Sequence, residues 1–141
     1  METGQNAPLR IIAGLPMYNE AETIGTVVTK VREYVDEVIC VDDGSSDSSA
    51  RIAESCGANV HRHRVNRGYG GALKTLFSKA REMNADALII LDSDGQHEPS
   101  DIPKLLAPIL SGDADFVIGS RFIDGGGSED MPAYRRLGIK V

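Results

Sequence analysis

Residues 87–94 read Ala87-Leu88-Ile89-Ile90-Leu91-Asp92-Ser93-Asp94. A short apolar run of this kind predicts a buried strand. It empties into two carboxylates two positions apart. Upstream, residues 9–15 predict a first strand, ended by Pro16, and residues 37–41 predict a second that stops at Asp42-Asp43-Gly44-Ser45-Ser46. Residues 59–61 give a weaker third, and 116–118 a last, followed by Gly119-Ser120-Arg121. Helical spacing fills the intervals. Asn19, with Glu22 three residues on, forms a capping box for a helix whose stripe is Ile24, Val27, Val28, Val31, Tyr34 and Val35. Asp47 caps a second helix that Gly57 ends. The loop Asn66-Arg67-Gly68-Tyr69-Gly70-Gly71 opens a third with an apolar face of Leu73, Leu76, Phe77 and Ala80. A fourth runs from near Ser100 to before Gly112, and Pro108 within it predicts a kink or an early end. Strands alternating with helices predict βαβ units and a mostly parallel, Rossmann-like sheet with helices on both faces.

Composition narrows the classes. The chain has 141 residues, 41% of them hydrophobic, and a formal net charge of −6. Such a length suits one domain with a proper core. The acidic balance argues against holding nucleic acid or anionic lipid by bulk charge, so an anionic ligand needs a local device. No apolar run approaches the ~18 residues of a membrane span, and no charged-then-apolar leader opens the chain. The expectation is a cytoplasmic protein, peripheral at most to the cytoplasmic face of the membrane. Cys40 and Cys56 lack metal-ligand spacing and read as buried, reduced thiols. His61, His63 and His97 also lack it and read as structural or solvated. Residues 1–8 read as a disordered lead-in and 9–141 as the folded domain. The ending, Leu137-Gly138-Ile139-Lys140-Val141, reads as a helix beginning, so the domain is expected to be incomplete at its C-terminus.

The polar residues cluster just after the strands, where open parallel sheets bind ligands. Asp92 and Asp94 would repel each other unless neutralised. A divalent cation would do this and could hold a diphosphate, with Gln96 as a neutral oxygen ligand, and such a set suits Mg²⁺ or Mn²⁺. An acidic loop with a helix cap is the plain alternative. Asp42 and Asp43 read first as a turn, and otherwise as carboxylates that accept hydrogen bonds from a base or ribose. The loop at Gly68–Gly71 can cradle phosphate on backbone amides or pack closely. It lacks the Gly-x-Gly-x-x-Gly order after a first strand, which argues against a dehydrogenase-type site. Arg121, Arg135 and Arg136 suit bidentate phosphate contacts or plain solvation.

Five segments in order, Pro16–Glu20, Val41–Asp47, Asn66–Ala72, Asp92–His97 and Gly119–Arg121, resemble family-2 glycosyltransferases of the GT-A fold, most of all the dolichyl-phosphate mannose or glucose synthase-like group. The resemblance spans nearly all of 9–141 and implies a GT-A-type α/β/α sandwich. It implies that Pro16, Tyr18 and Glu20 line a nucleotide pocket and that Asp42 contacts the base or ribose, with Asp43 and Ser93 also in the nucleotide-sugar site. It implies that Asp92, Asp94 and Gln96 hold Mg²⁺ or Mn²⁺ against a nucleoside-diphosphate sugar. Asp92, Asp94 and Arg121 would carry the catalysis, and Arg135 and Arg136 would contact an acceptor phosphate. The implied reaction is inverting transfer of a hexose from a GDP-mannose or UDP-glucose type donor to an acceptor, a polyprenyl or dolichyl phosphate or else a hydroxyl. The other reading is a module that binds nucleotide sugars without transfer. A nucleotidyltransferase would need a glycine-rich basic loop after the first strand, which residues 14–20 do not form.

Overall fold

The computed structural model of the chain describes residues 8–115 and Val117. Four strands form one sheet: β1 (Ile11–Met17), β2 (Glu37–Asp42), β3 (Asn59–Arg62) and β4 (Ala87–Ile90). The helices are α1 (Ile24–Val31), α2 (Ser49–Ser55), α3 (Gly68–Glu82) and α4 (Ile102–Leu110), the last preceded by a 3₁₀ turn at Pro99–Asp101. Strand order is β3-β2-β1-β4 and all three pairings are parallel. The fold class is therefore α/β. Contact density divides the chain into two units, residues 1–102 and 103–141. The sheet, α1, α2 and α3 belong to the first, and nearly all of α4 to the second.

Both faces of the sheet are covered, which is why its strands are nearly all apolar. Ile12, Ile39 and Val41 cluster with Ala72 and Leu76 of α3. Side chains alternate along a strand, so Ala13, Leu15, Val38 and Cys40 point to the opposite face, where they too are buried. Gly14 has a packing reason to be glycine, because a Cβ there would lie 2.9 Å from a Leu76 methyl group. Losing Leu76 would cost about 2–5 kcal/mol, the usual range for a core leucine cut to alanine. Burial pushes the Cys40 thiol up to about 12, aided by nearby Asp42 and Cys56, so it is an inert core group.

Several boundaries differ from the sequence expectation. Pro16 does not end β1, since it pairs with Val41 and the strand runs to Met17. The Gly14 carbonyl accepts from Leu91 on the β4 side, and two residues on Pro16 faces that same side, where the ladder has ended. Its missing N–H therefore costs no strand bond. Asn19 does not cap a helix. It sits at φ 52°, its side-chain oxygen accepts the Ser46 N–H at 2.9 Å, and α1 begins only at Ile24. Tyr34 and Val35 fall beyond α1 and are half-buried in the turn before β2. Phe77 is 54% exposed and so lies off the core face of α3, which is set by Ala72, Leu76 and Ala80. Helix α4 contains Pro108 and continues two residues past it. Asp47 supports α2 from just outside its N-terminus by accepting the Ser49 N–H, and Gly57 ends that helix at φ 97°. The expected last strand at 116–118 falls almost wholly outside the described residues.

Candidate active site

The sheet order creates the site. The chain moves outward from β1 to β2 and β3, then returns through α3 to place β4 on the other side of β1. Loops leave β1 and β4 in opposite directions at such a switch point, which opens a crevice at their carboxyl ends. A cavity of about 310 Å³ lies there. Pro16, Tyr18 and Glu20 enter it from the end of β1, Asp43 from β2, and Asp92, Ser93 and Asp94 from β4. Met17, Asn66, Gly68, Tyr69 and Ala72 complete the lining, four of them supplied by the turn into α3 and its first residues.

Local bonds explain how these loops hold their shape. The Ser93 hydroxyl donates to the Pro16 carbonyl at 2.8 Å, and the Thr23 hydroxyl donates to the Ser93 carbonyl at 2.7 Å. Ser93 is thus a buried staple between β1 and the acidic loop. The Asp92 N–H donates to His97 Nδ1 at 2.9 Å, closing that loop on itself. The Asp94 carboxylate accepts the Gln96 N–H at 3.0 Å. Both acidic side chains remain part-exposed. Among the described residues, the one potentially cationic group within ion-pair reach of either is His97, 3.8 Å from Asp92. Burial, and then the charge of Asp92, raises the Tyr69 phenol above its ordinary pKa.

Asp42 and Asp43 part company. Asp42 is fully buried and does not line the cavity, which corrects its expected place at the base or ribose. It shares strand parity with Val38 and Cys40, so its side chain turns under the loop. Its Oδ1 accepts the Ser45 N–H at 2.9 Å, Arg62 Nε lies 3.3 Å from Oδ2, and Oδ2 makes no hydrogen bond. Asp43 faces the α3 side and reaches the cavity. Its Oδ1 accepts from His63 Nδ1 and from the Arg67 N–H, each at 2.7 Å. Burial alone would push this carboxyl up. The bonds from His63, Arg67 and Gly68 outweigh it and hold the group below the usual aspartate range.

The remaining expected residues scatter. Gln96 is exposed and outside the cavity lining, although its backbone braces Asp94. Arg121, Arg135 and Arg136 lie outside the described residues. His63 and His97, read from sequence as structural or solvated, bind directly to site aspartates. Nothing in their spacing marks them, because the bond from His63 spans 20 residues. Among the described residues no three His, Cys, Asp or Glu side chains converge as a metal cage. No described helix is long and apolar enough to cross a membrane.

Comparison with known proteins agrees with this architecture. The model of the family described as glycosyl transferase family 2 matches residues 13–139. The chain is 34% identical to the UDP-N-acetylglucosamine–dolichyl-phosphate N-acetylglucosaminyltransferase of Methanococcus voltae, covering 88% of this chain and 57% of that protein. It is also 34% identical to the undecaprenyl-phosphate mannosyltransferase of Micrococcus luteus, covering 92% and 55%. The chain thus spans little more than half the length of these relatives. Among solved structures, glucosyl-3-phosphoglycerate synthase from Mycobacterium tuberculosis, in complex with Mn²⁺, UDP-glucose and phosphoglyceric acid, superposes with a TM-score of 0.63 at 30% identity, covering 74% of this chain and 40% of that one. A parallel sheet with acidic loops at a switch point, joined to a family match over most of the length, leads to one conclusion: the chain belongs to glycosyl transferase family 2, with the GT-A type of fold.

Proposed function

We propose that this chain forms the donor-binding half of an inverting hexosyltransferase that uses a nucleoside-diphosphate sugar and Mg²⁺ or Mn²⁺. The observation that carries the reading is the pair Asp92 and Asp94, two part-exposed carboxylates in one cavity that no described lysine or arginine neutralises. Two hard oxygen donors with an open face suit a small divalent cation that takes its remaining ligands from water and a diphosphate. Among the described residues no third carboxylate or imidazole converges on the pair to make an all-protein cage. When bound, the cation would supply Lewis-acid stabilisation of charge developing on the leaving diphosphate.

The protein's own part is positioning. Ser93 and His97 hold the acidic loop in shape before ligand arrives, so its two carboxylates need little ordering on binding. Asp43, kept ionised, offers a fixed acceptor to the donor groups of the nucleoside. Pro16 and Tyr18 form the cavity wall against which the base or ribose would lie. Arg121 would bind phosphate of the donor or acceptor, and Arg135 and Arg136 would contact an acceptor phosphate. The relatives' names support a polyprenyl phosphate as acceptor. Such an oxygen is anionic near neutral pH and can attack the anomeric carbon without a strong general base.

The test is calorimetric titration with UDP and GDP, with and without Mn²⁺, followed by a product assay on dolichyl phosphate. Metal-dependent binding of one nucleotide is expected. Equal, weak heats for both nucleotides under all conditions would sink the proposal. Binding without product would leave a recognition module in place of a transferase.

A further inference from the structure

The acidic loop accounts for one end of a nucleotide sugar. The other end leads to a buried network under the cavity floor. His63 follows β3 directly and is 3% exposed. Both of its ring nitrogens are engaged, Nδ1 with Asp43 Oδ1 at 2.7 Å and Nε2 with the Thr75 hydroxyl of α3 at 2.8 Å. An ionised carboxylate only accepts, so Nδ1 must carry the proton of the first bond. The Thr75 oxygen also lies 3.2 Å from the Gly71 carbonyl. The two ring bonds, one to Asp43 and one to Thr75, fix the orientation of the imidazole.

We infer that His63, locked by Thr75, is a positioning residue that aims the Asp43 carboxylate at the nucleoside of the donor. The inference rests on the reading of Asp43 as a nucleoside contact. Three features carry it. Asp43 is the first residue past β2 and lines the cavity, its backbone N–H still bonded to the Met17 carbonyl. A buried carboxylate is costly to keep charged without donors, and His63 and Arg67 supply them at a single oxygen. The network also ties the ends of β2 and β3 to α3, and the first turn of α3 carries Gly68, Tyr69 and Ala72 of the same cavity. Purely structural histidines need no such link to a residue that lines the site.

The decisive measurement compares two ligands on each variant. One is the nucleoside diphosphate, UDP or GDP, that the wild type holds with Mn²⁺. The other is inorganic pyrophosphate with Mn²⁺, which lacks a nucleoside. His63→Ala should weaken nucleotide binding about tenfold, as expected for loss of a charge-assisted hydrogen bond, and leave pyrophosphate within about twofold. His63→Asn places an amide N–H near the position of Nδ1 and should restore most of the loss. Thr75→Val should show a smaller loss, about threefold. Equal weakening of both ligands would mean a distorted fold and overturns the inference. If Asp43→Ala weakens the nucleotide while His63→Ala and His63→Asn do not, the inference fails alone. If Asp43→Ala has no effect, the nucleoside reading itself fails, and the inference with it. Should His63→Ala not fold, long-range ¹H–¹⁵N spectra of the wild type decide the geometry, and an unprotonated Nδ1 would rule it out.

Discussion

The molecule places two pairs of aspartates at neighbouring strand ends, and they have opposite surroundings. At the end of β2, Asp42 and Asp43 are buried, with Ser45, His63 and Arg67 as protein donors and the Arg62 guanidinium in ion-pair reach of Asp42. At the end of β4, Asp92 and Asp94 are part-exposed, and the described protein gives them one backbone donor, the Tyr69 phenol at Asp92 and a histidine at 3.8 Å. The first pair is built into the fold. The second is held in shape, with no described lysine or arginine within ion-pair reach. A carboxylate's role is thus decided less by its motif than by how many donors the fold delivers to it.

The largest expected effect breaks the second pair. Asp94→Ala should abolish metal-dependent tightening of nucleoside diphosphate binding, a loss of at least the roughly 100-fold that even outer-shell partners can contribute. Its urea midpoint should stay close to that of the wild type. Calorimetry showing the same Mn²⁺-dependent affinity in both proteins would remove the contrast between the pairs.

Stability should show the reverse pattern. Asp42→Ala leaves the Ser45 N–H without its acceptor and should cost about 2 kcal/mol, near the usual penalty for an unsatisfied buried group. Asp92→Ala should stay within about 0.5 kcal/mol, as part-exposed side chains usually do. Equilibrium urea unfolding of the two variants measures the difference directly, and equal losses would contradict the division drawn here.

A smaller effect sharpens the comparison within the first pair. The folded-state pKa of Asp43 is depressed, so below the ordinary aspartate value of about 3.9 the unfolded chain binds more protons than the native one. Its stabilising contribution is fully present above that pH and is lost as pH falls through the depressed folded value. Asp43→Asn should flatten this part of the acid-unfolding profile. An unchanged slope would show that His63 and Arg67 do not favour the charged form.

Much of this was legible in the chain itself. Short apolar runs located the strands, because a parallel strand covered on both faces has little room for polar residues. The placing of acidic residues after those runs located the crevice. Other features depended on partners far along the sequence. Asn19 has the residue type and spacing of a helix cap, yet its side chain bonds to Ser46, 27 residues away. Phe77 fits the helical spacing of α3 but lies off the face that meets the sheet.

By itself, the sequence determined the α/β alternation, the buried strands and the carboxyl-terminal position of the acidic loops, since periodicity and turn chemistry act over a few residues. Only the tertiary structure decided that Asp42 turns into the interior while Asp43 reaches the cavity, and that His63 stands behind Asp43. Those choices depend on strand parity and on donors that folding brings from β3 and α3, and no local pattern encodes which of two adjacent aspartates will meet them.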